Sequence, residues 1–466
     1  VAAEERVEVA VVGGGIAGLS VGLGLARRGV PFALLEASNR WGGCIRTEER
    51  GGFILDGGPD CFLAQKPQAL ETCREVGLAG RLVPSGEPRT VYVLRHGKLH
   101  PLPPGMAMGA PSDVPAFLRS RLFTWRGKVR MALERLVPAR RDGADESIAT
   151  FFRRRFGAEA LELLGEPLLA GIHAGDAESL SLRSAMPRLA ELERQFGSLS
   201  RGMGVSRGRA TGPPAPPFYA LRGGMMELVR ALVERLPASS LRPGCAARAL
   251  RRRGGEYELE TEGGGRILAR SVVLALPPPF AQLLLSGLAP QAACMLSLTP
   301  VASTATVLLG YRRQDVAHPL DGHGLLVPRS EGLRTTACSF VSSKFAFRAP
   351  EGHVLLRAFV GGVRDPGAVS LPAEAALSMV QAELGPLLGI RGLPLVSRVY
   401  PWPAAMPQME VGHATRLAAL EESLADFPGL FLTGAGLRGT GIPDGIADGL
   451  GTAVQAAGFV EARHAA

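Results

Sequence analysis

Disulfide and metal-binding signals are the first thing this sequence is short of. Its cysteines, Cys44, Cys61, Cys73, Cys245, Cys294 and Cys338, form no Cys-x-x-Cys pair and follow no metal-ligand spacing. Free thiols in a reducing cytosol are the simplest account, so a cytoplasmic protein is expected. Aromatic residues are scarce, at 6%. The arginine runs Arg153–Arg155 and Arg251–Arg253 have none interleaved, which argues against a nucleic-acid binder and reads as solvated faces. Uninterrupted apolar runs are missing too. Ser271 to Tyr311 carries no charge, but Pro277 to Pro279, Pro290 and Pro300 cut it into pieces shorter than the ~20 residues of a membrane span. It reads as buried strand, loop, helix and strand, leaving at most a peripheral membrane contact. Residues 1–6 lack an apolar stretch after a basic start, so no secretory leader is expected in them. No Ser-His-Asp set and no carboxylate pair stands out. No side chain is therefore assigned a catalytic role.

What the chain does contain is glycine in a telling place. Val9 to Val12 reads as a strand, followed by Gly13, Gly14, Gly15, Ile16, Ala17 and Gly18, a helical run, and a second strand, Phe32 to Glu36. Gly13 makes a tight turn, Gly15 lets backbone approach a pyrophosphate, and Gly18 lets helix pack on strand. Glu36 is placed to accept hydrogen bonds from a ribose diol. The continuation through Ala37, Arg40, Gly42 and Gly43 to Gly58, Pro59 and Asp60 selects FAD over a nicotinamide. In an extended FAD site Arg40 faces the phosphate and ribose, and the Gly-Gly-Pro-Asp turn lies against the flavin.

With 466 residues, 46% of them hydrophobic, about three domains and an ample core are expected. The net charge of +9 favours acidic small molecules or an anionic surface. A helix from about 70 to 82, a hairpin over 90–94 and 98–102, and a helical, arginine-rich stretch from 112 to 199 follow. Residues 202–217 have the composition of a mobile loop. Beyond it come a helix to Leu236, strands at 247–251, 257–262, 266–269 and 272–277, a helix near 374–388, a strand at 431–436 and a last helix over 446–461. This order suggests FAD-binding segments at 1–85, 216–285 and 406–466. A helical, membrane-associating region at 86–215 and a substrate domain at 286–405 are threaded between them.

Several stretches carry a family resemblance. Gly13 to Gly18, Glu36 to Gly43 and Gly58-Pro59-Asp60 are joined by Gly171-Ile172-His173-Ala174-Gly175-Asp176, Leu180-Ser181, Arg222-Gly223-Gly224, Met406-Pro407-Gln408, Gly412-His413 and Gly439 to Asp444. The whole chain resembles the FAD-dependent protoporphyrinogen/coproporphyrinogen oxidases of haem synthesis, among the amine-oxidase-like flavoproteins. Leu99 to Pro103, Phe151 to Arg155, Glu166 to Leu169 and Gly441 to Asp444 look closer to the Gram-positive coproporphyrinogen III oxidase branch. The resemblance implies an α/β (α+β) fold of the p-hydroxybenzoate-hydroxylase and amine-oxidase type, with a Rossmann-like FAD domain, a substrate domain and a helical domain. His173 stands where the family usually has Tyr or Phe, Met409 where it has Tyr, and Gly445 where it has Cys.

The resemblance also implies the chemistry. A porphyrinogen bridge loses hydride to the flavin, its pyrrole nitrogens stabilise the cation left behind, and three such oxidations make the ring aromatic. O2 takes the electrons as hydrogen peroxide. Cofactor contacts are then expected at Cys61, Ala247, Trp402, Gly434, Thr440, Gly441 and Ile442, besides the glycine motifs. Lys66 and Arg89 are the candidates for substrate carboxylates, against their reading as ordinary surface cations. Gly171, Gly175, Leu326 and Phe359 would form apolar walls, with His173 and His323 within reach. Protoporphyrinogen IX is the nearest rival substrate. An amine oxidase, a carotenoid desaturase and a low-turnover porphyrin carrier lie further off. Transient contact with the next haem-pathway enzyme is a further expectation.

Overall fold

Valine and alanine fill the last four positions of the first strand, Glu4–Val12, and these are buried on both faces, as a central parallel strand requires. The computed structural model describes residues 4–107, 109–111, 113–140, 142–208 and 216–465. Around the first strand the sheet runs Leu241–Pro243, Phe32–Glu36, Glu4–Val12, Arg266–Leu274, Glu256–Thr261 and Ala247–Arg253. The two strands predicted over 266–269 and 272–277 are one, Arg266–Leu274. Its first half pairs antiparallel with 257–260, its second half parallel with Leu430–Leu432, and its other edge takes the first strand along its length.

Two helices close one face of this sheet, Ile16–Arg27 and Ile442–Ala465. They approach to backbone contact, since a Cβ on Gly449 would stand 2.4 Å from the Ala17 carbonyl oxygen. The last helix starts four residues earlier than predicted, with Pro443 in its first turn, where a missing N–H costs nothing. The first and last segments of the chain thereby form one layered body.

A second sheet runs Val396–Pro407, Val301–Arg312, His353–Gly361, Thr335–Phe340, Gly324–Leu326, Val91–Arg95 and Lys98–Pro101. The last two are the predicted hairpin, and Val91–Arg95 joins the sheet parallel to Gly324–Leu326. That hairpin thus extends the second sheet instead of belonging to the helical stretch. From Val114 to Gly208 the described chain is mainly helical, around a core that includes Phe117, Phe123, Phe151, Phe152 and Phe156.

Two expectations fail in this region. The loop predicted over 202–217 is helix as far as residue 208 (Leu199–Gly208), and 209–215 lie outside the described residues. The Glu134 carboxylate accepts the Leu199 N–H at 2.9 Å and the Ser198 hydroxyl at 2.7 Å, which caps the helix start. Gly202 is there because a Cβ would meet the Phe196 ring at 2.7 Å. The second failure is Arg155, read as part of a solvated run but wholly buried. Its guanidinium reaches Glu134 at 2.6 Å and the carbonyls of Val137 and Gly197, both at 2.7 Å. Arg251–Arg253 is exposed as expected. Among the described residues no helix is long and apolar enough to cross a membrane.

Candidate functional site

Parallel strands end together at Val12, Glu36, Leu274 and Leu432; Gly13 follows directly on the first of these ends, and Gly434 two residues after the last. Gly13 turns at φ +110°, its N–H on the Leu35 carbonyl at 2.8 Å. Gly15 precedes Ile16–Arg27, a helix with no side-chain cap, and a Cβ on Gly15 would meet no atom within 4 Å. Open space before an uncapped helix N-terminus suits a pyrophosphate. Ala17 and Gly18 lie in the first turn of that helix. The Glu36 carboxylate accepts the Gly14 N–H at 2.9 Å, and the Ser38 N–H and hydroxyl at 2.9 and 2.8 Å. Ala37 follows it, exposed. Both Glu36 oxygens keep acceptor capacity for a ribose diol. The Cys245 N–H binds the Glu36 carbonyl at 2.8 Å, which sets Ala247, at the start of its strand, beside this end.

The second loop meets the first through the Gly42 N–H, 2.8 Å from the Gly14 carbonyl. Arg40 anchors this second loop. Its guanidinium turns onto its own loop, with the carbonyls of Ile45, Gly43 and Trp41 at 2.8, 2.6 and 3.2 Å. The positive φ at Gly42 and Gly43 folds the loop around that side chain. Gly434, at φ +118°, donates to Asp448 at 3.1 Å. Thr440 and Gly441 lead into the last helix at Ile442, where the Gly441 N–H is 3.2 Å from an Asp444 oxygen. Glycine turn, acid and two helix starts on one seam fit FAD.

The turn Gly57–Cys61 carries the next part of the site. A Cβ on Gly58 would fall 1.7 Å from the Cys44 carbonyl oxygen, so only glycine fits, and the Trp402 indole donates to the Gly57 carbonyl at 2.9 Å. Pro59 leads to Asp60, behind which lies a cluster that sequence reasoning missed. Asp60 stands 3.2 Å from Arg357 and 4.0 Å from Lys344. Lys344 also touches the Cys61 sulfur at 3.2 Å, and Arg348 binds Asp56 at 2.8 Å. Burial would lift the Asp60 carboxyl, but Lys344 and Arg357 hold it well below the usual range. Burial likewise opposes the Lys344 charge, and Asp60 restores it. Burial and the Asp60 charge push the Cys61 thiol up to about 12, so it stays neutral. Burial lifts Asp56, against Arg348 and the Thr47 hydroxyl.

On the substrate side, Lys66 pairs with Asp444 at 2.5 Å and Arg89 with Glu87 at 2.7 Å. His173 ends the helix Glu166–His173, buried within the influence of both Lys66 and Asp444. Burial, then Lys66, lowers its pKa to about 4, so the imidazole is neutral at neutral pH. In the same helix Gly171 faces Ala337, which pairs with Leu326 on one side and Phe359 on the other. Those residues form one apolar floor. Gly175 lies against Gln408, whose amide donates to the His173 carbonyl at 3.0 Å. The His323 ring nitrogen stands 2.9 Å from the Gly86 carbonyl, and burial, with Lys344 and Arg89 nearby, lowers its pKa. Met409 is buried, and a Cβ on Gly445 would stand 3.0 Å from the Ile16 side chain. Asp444 was visible in its motif but not as a partner of Lys66. Among the described residues no group of three or more His, Cys, Asp or Glu is arranged to hold a metal ion.

Comparison with known proteins agrees with this geometry. The family described as flavin containing amine oxidoreductase matches residues 16–457. The coproporphyrinogen III oxidase of Bacillus subtilis is 36% identical, over 95% of this chain and 96% of its own. The chloroplastic protoporphyrinogen oxidase of rice is 34% identical, over 93% and 84%. A solved structure assigned to protoporphyrinogen oxidase from Exiguobacterium superposes with a TM-score of 0.86 at 32% identity, covering 98% of this chain and 99% of that one. Putrescine oxidase, at 17% identity and a TM-score of 0.70, shares the fold.

Proposed function

The chain belongs to the flavin containing amine oxidoreductase family, and from that membership we propose that it oxidises coproporphyrinogen III to coproporphyrin III in haem synthesis. Bound FAD supplies the hydride acceptor and passes the electrons to O2 as hydrogen peroxide. The protein's share is placement. The Gly171–Ala337 floor carries the macrocycle, and Lys66 and Arg89 face its carboxylates. His173, neutral at working pH, adds no charge to that recognition. Lys66, with 43% of its side chain exposed, takes a propionate while keeping Asp444 beside it, and a contact at that exposure stabilises by about 1 kcal/mol or less.

The observation that carries this reading is the likeness to the B. subtilis enzyme over nearly the full length of both chains. The likeness to the rice enzyme supports protoporphyrinogen IX as the second reading. Purified protein assayed with both porphyrinogens should turn over the tetra-acid faster, and turnover of neither would end the proposal. Lys66→Glu combined with Arg89→Glu should raise KM for coproporphyrinogen about tenfold or more. A hydrophobic analogue should be affected far less, and equal losses would remove both residues from carboxylate binding.

A peripheral membrane contact belongs to the same proposal. Trp125, Val129 and Leu136 are 67%, 57% and 76% exposed along one helix and the turn after it, among the exposed bases Arg119, Arg121, Arg126 and Arg135. An apolar ridge with a basic rim matches an anionic bilayer surface. Trp125→Glu with Leu136→Glu should abolish sedimentation with phosphatidylserine vesicles while flavin content is kept. Unchanged sedimentation would sink the idea. Handing the porphyrin to the next enzyme by transient contact completes the proposal, with no surface assigned to it.

A further inference from the structure

Charges around the Gly57–Cys61 turn do not cancel. Lys66 is matched by Asp444, and Arg89 by Glu87. His173 is neutral, and so is the Cys61 thiol. Behind the turn, however, Lys344, Arg348 and Arg357 pair, among the described residues, only with Asp56 and Asp60. With both acids ionised, one positive charge is left over, and a proton on Asp56 would only enlarge the excess. These groups are tied to the turn itself. Arg357 donates to the Gly58 carbonyl, and Arg348 to the Asp60 carbonyl at 3.3 Å. Lys344 is further held over the rings of Phe218, at 4.5 Å, and Phe345, at 5.0 Å.

A surplus cation with so little exposure to water is expensive unless an anion shares its surroundings. Each oxidation of a porphyrinogen bridge breaks one C–H bond and delivers hydride, two electrons and a proton. The cation left on the substrate then sheds a proton from a pyrrole nitrogen. The cofactor end of the site therefore gains one negative charge per hydride, until O2 removes the two electrons.

We propose that Lys344, acting with Arg348 and Arg357, sets the reduction potential of the bound FAD by holding this uncompensated positive charge behind the turn. The inference rests on the flavoprotein reading above and on the ring lying against Gly57–Cys61. Lys344 is a positioning residue for charge, touching the turn and not the reacting atoms. In a site with little water such a charge acts over several ångströms.

The test is the two-electron midpoint potential of the FAD-loaded protein, measured against reference dyes. Lys344→Met should shift the oxidised–reduced equilibrium at least tenfold toward oxidised, a fall of about 30 mV. Lys344→Arg should restore the wild-type value. Asp60→Asn, which removes an anion from the same cluster, should move the potential up. An unchanged potential in flavin-replete Lys344→Met overturns the inference. So does a fall in Asp60→Asn, which decides the matter should Lys344→Met fail to fold. Wild-type protein that takes up no FAD would instead defeat the flavoprotein reading, and this inference with it.

Discussion

Gly13→Ala protein is expected to emerge from purification without flavin. Gly13 adopts φ +110°, and a Cβ there would stand 2.4 Å from the Ala275 carbonyl oxygen and 3.1 Å from the Leu276 side chain. The Ala275 carbonyl cannot retreat, because the Ala275 N–H is itself bound to the Val12 carbonyl at 2.8 Å in the parallel ladder. The turn must then rotate, carrying Gly14 and Gly15 away from the helix N-terminus. Strain at such a position costs about 1–3 kcal/mol before the clash is counted. A loss near 3 kcal/mol weakens FAD binding roughly a hundredfold. Gly29→Ala is the control. Gly29 has φ +68° but open space around it, at the other end of the same helix, so that variant should stay yellow. Flavin absorbance per mole of protein decides it, and full retention in Gly13→Ala would show that the turn does not form the binding site.

Arg155→Met should destabilise the helical region by about 3–5 kcal/mol, the usual penalty for stranding one member of a buried ion pair. Glu134 and Arg155 are both inaccessible to solvent. Without the guanidinium, Glu134 keeps its bonds to Ser198 and Leu199 but loses its countercharge, and the carbonyls of Val137 and Gly197 lose their donor. A fall in Tm on the order of 10 °C should follow, with early proteolysis within Leu199–Gly208. The pH dependence has a definite sign. Burial would raise the Glu134 carboxyl, but Ser198, Leu199 and Arg155 hold it below its ordinary value of 4.5. The unfolded chain therefore binds the proton more readily. This stabilisation is complete above that value and lost as the pH falls below it. Melts taken across the acid range should show the wild type losing Tm there and the variant losing less. Parallel curves would mean that the pair contributes nothing.

The two predictions differ in how much of them could be read from the sequence. Gly13 and Gly15 announce their roles through neighbours a few positions away, because strand, turn and helix are consecutive. Glu36 is similar, its spacing fixed by one helix and one strand. Arg155 gave the opposite impression. A run of three arginines resembles a surface, and the burial of the last depends on Glu134 and Gly197, which no local pattern connects to it. The helix at Leu199–Gly208 was hidden for the same reason, since its glycines argue for a loop until the Glu134 cap is known.

The site divides in the same way. By itself the sequence determined a strand–glycine–helix unit with its acid, a second glycine loop and a family of flavoenzymes, because these depend on residues adjacent in the chain. Only the tertiary structure decided that Arg40 secures its own loop, that Lys66 meets Asp444 across 378 positions, and that Lys344, Arg348 and Arg357 gather behind the Gly57–Cys61 turn. The physical reason is that a charge takes its meaning from its partners and its distance from water. Those are set where separate segments pack together, not where they are written.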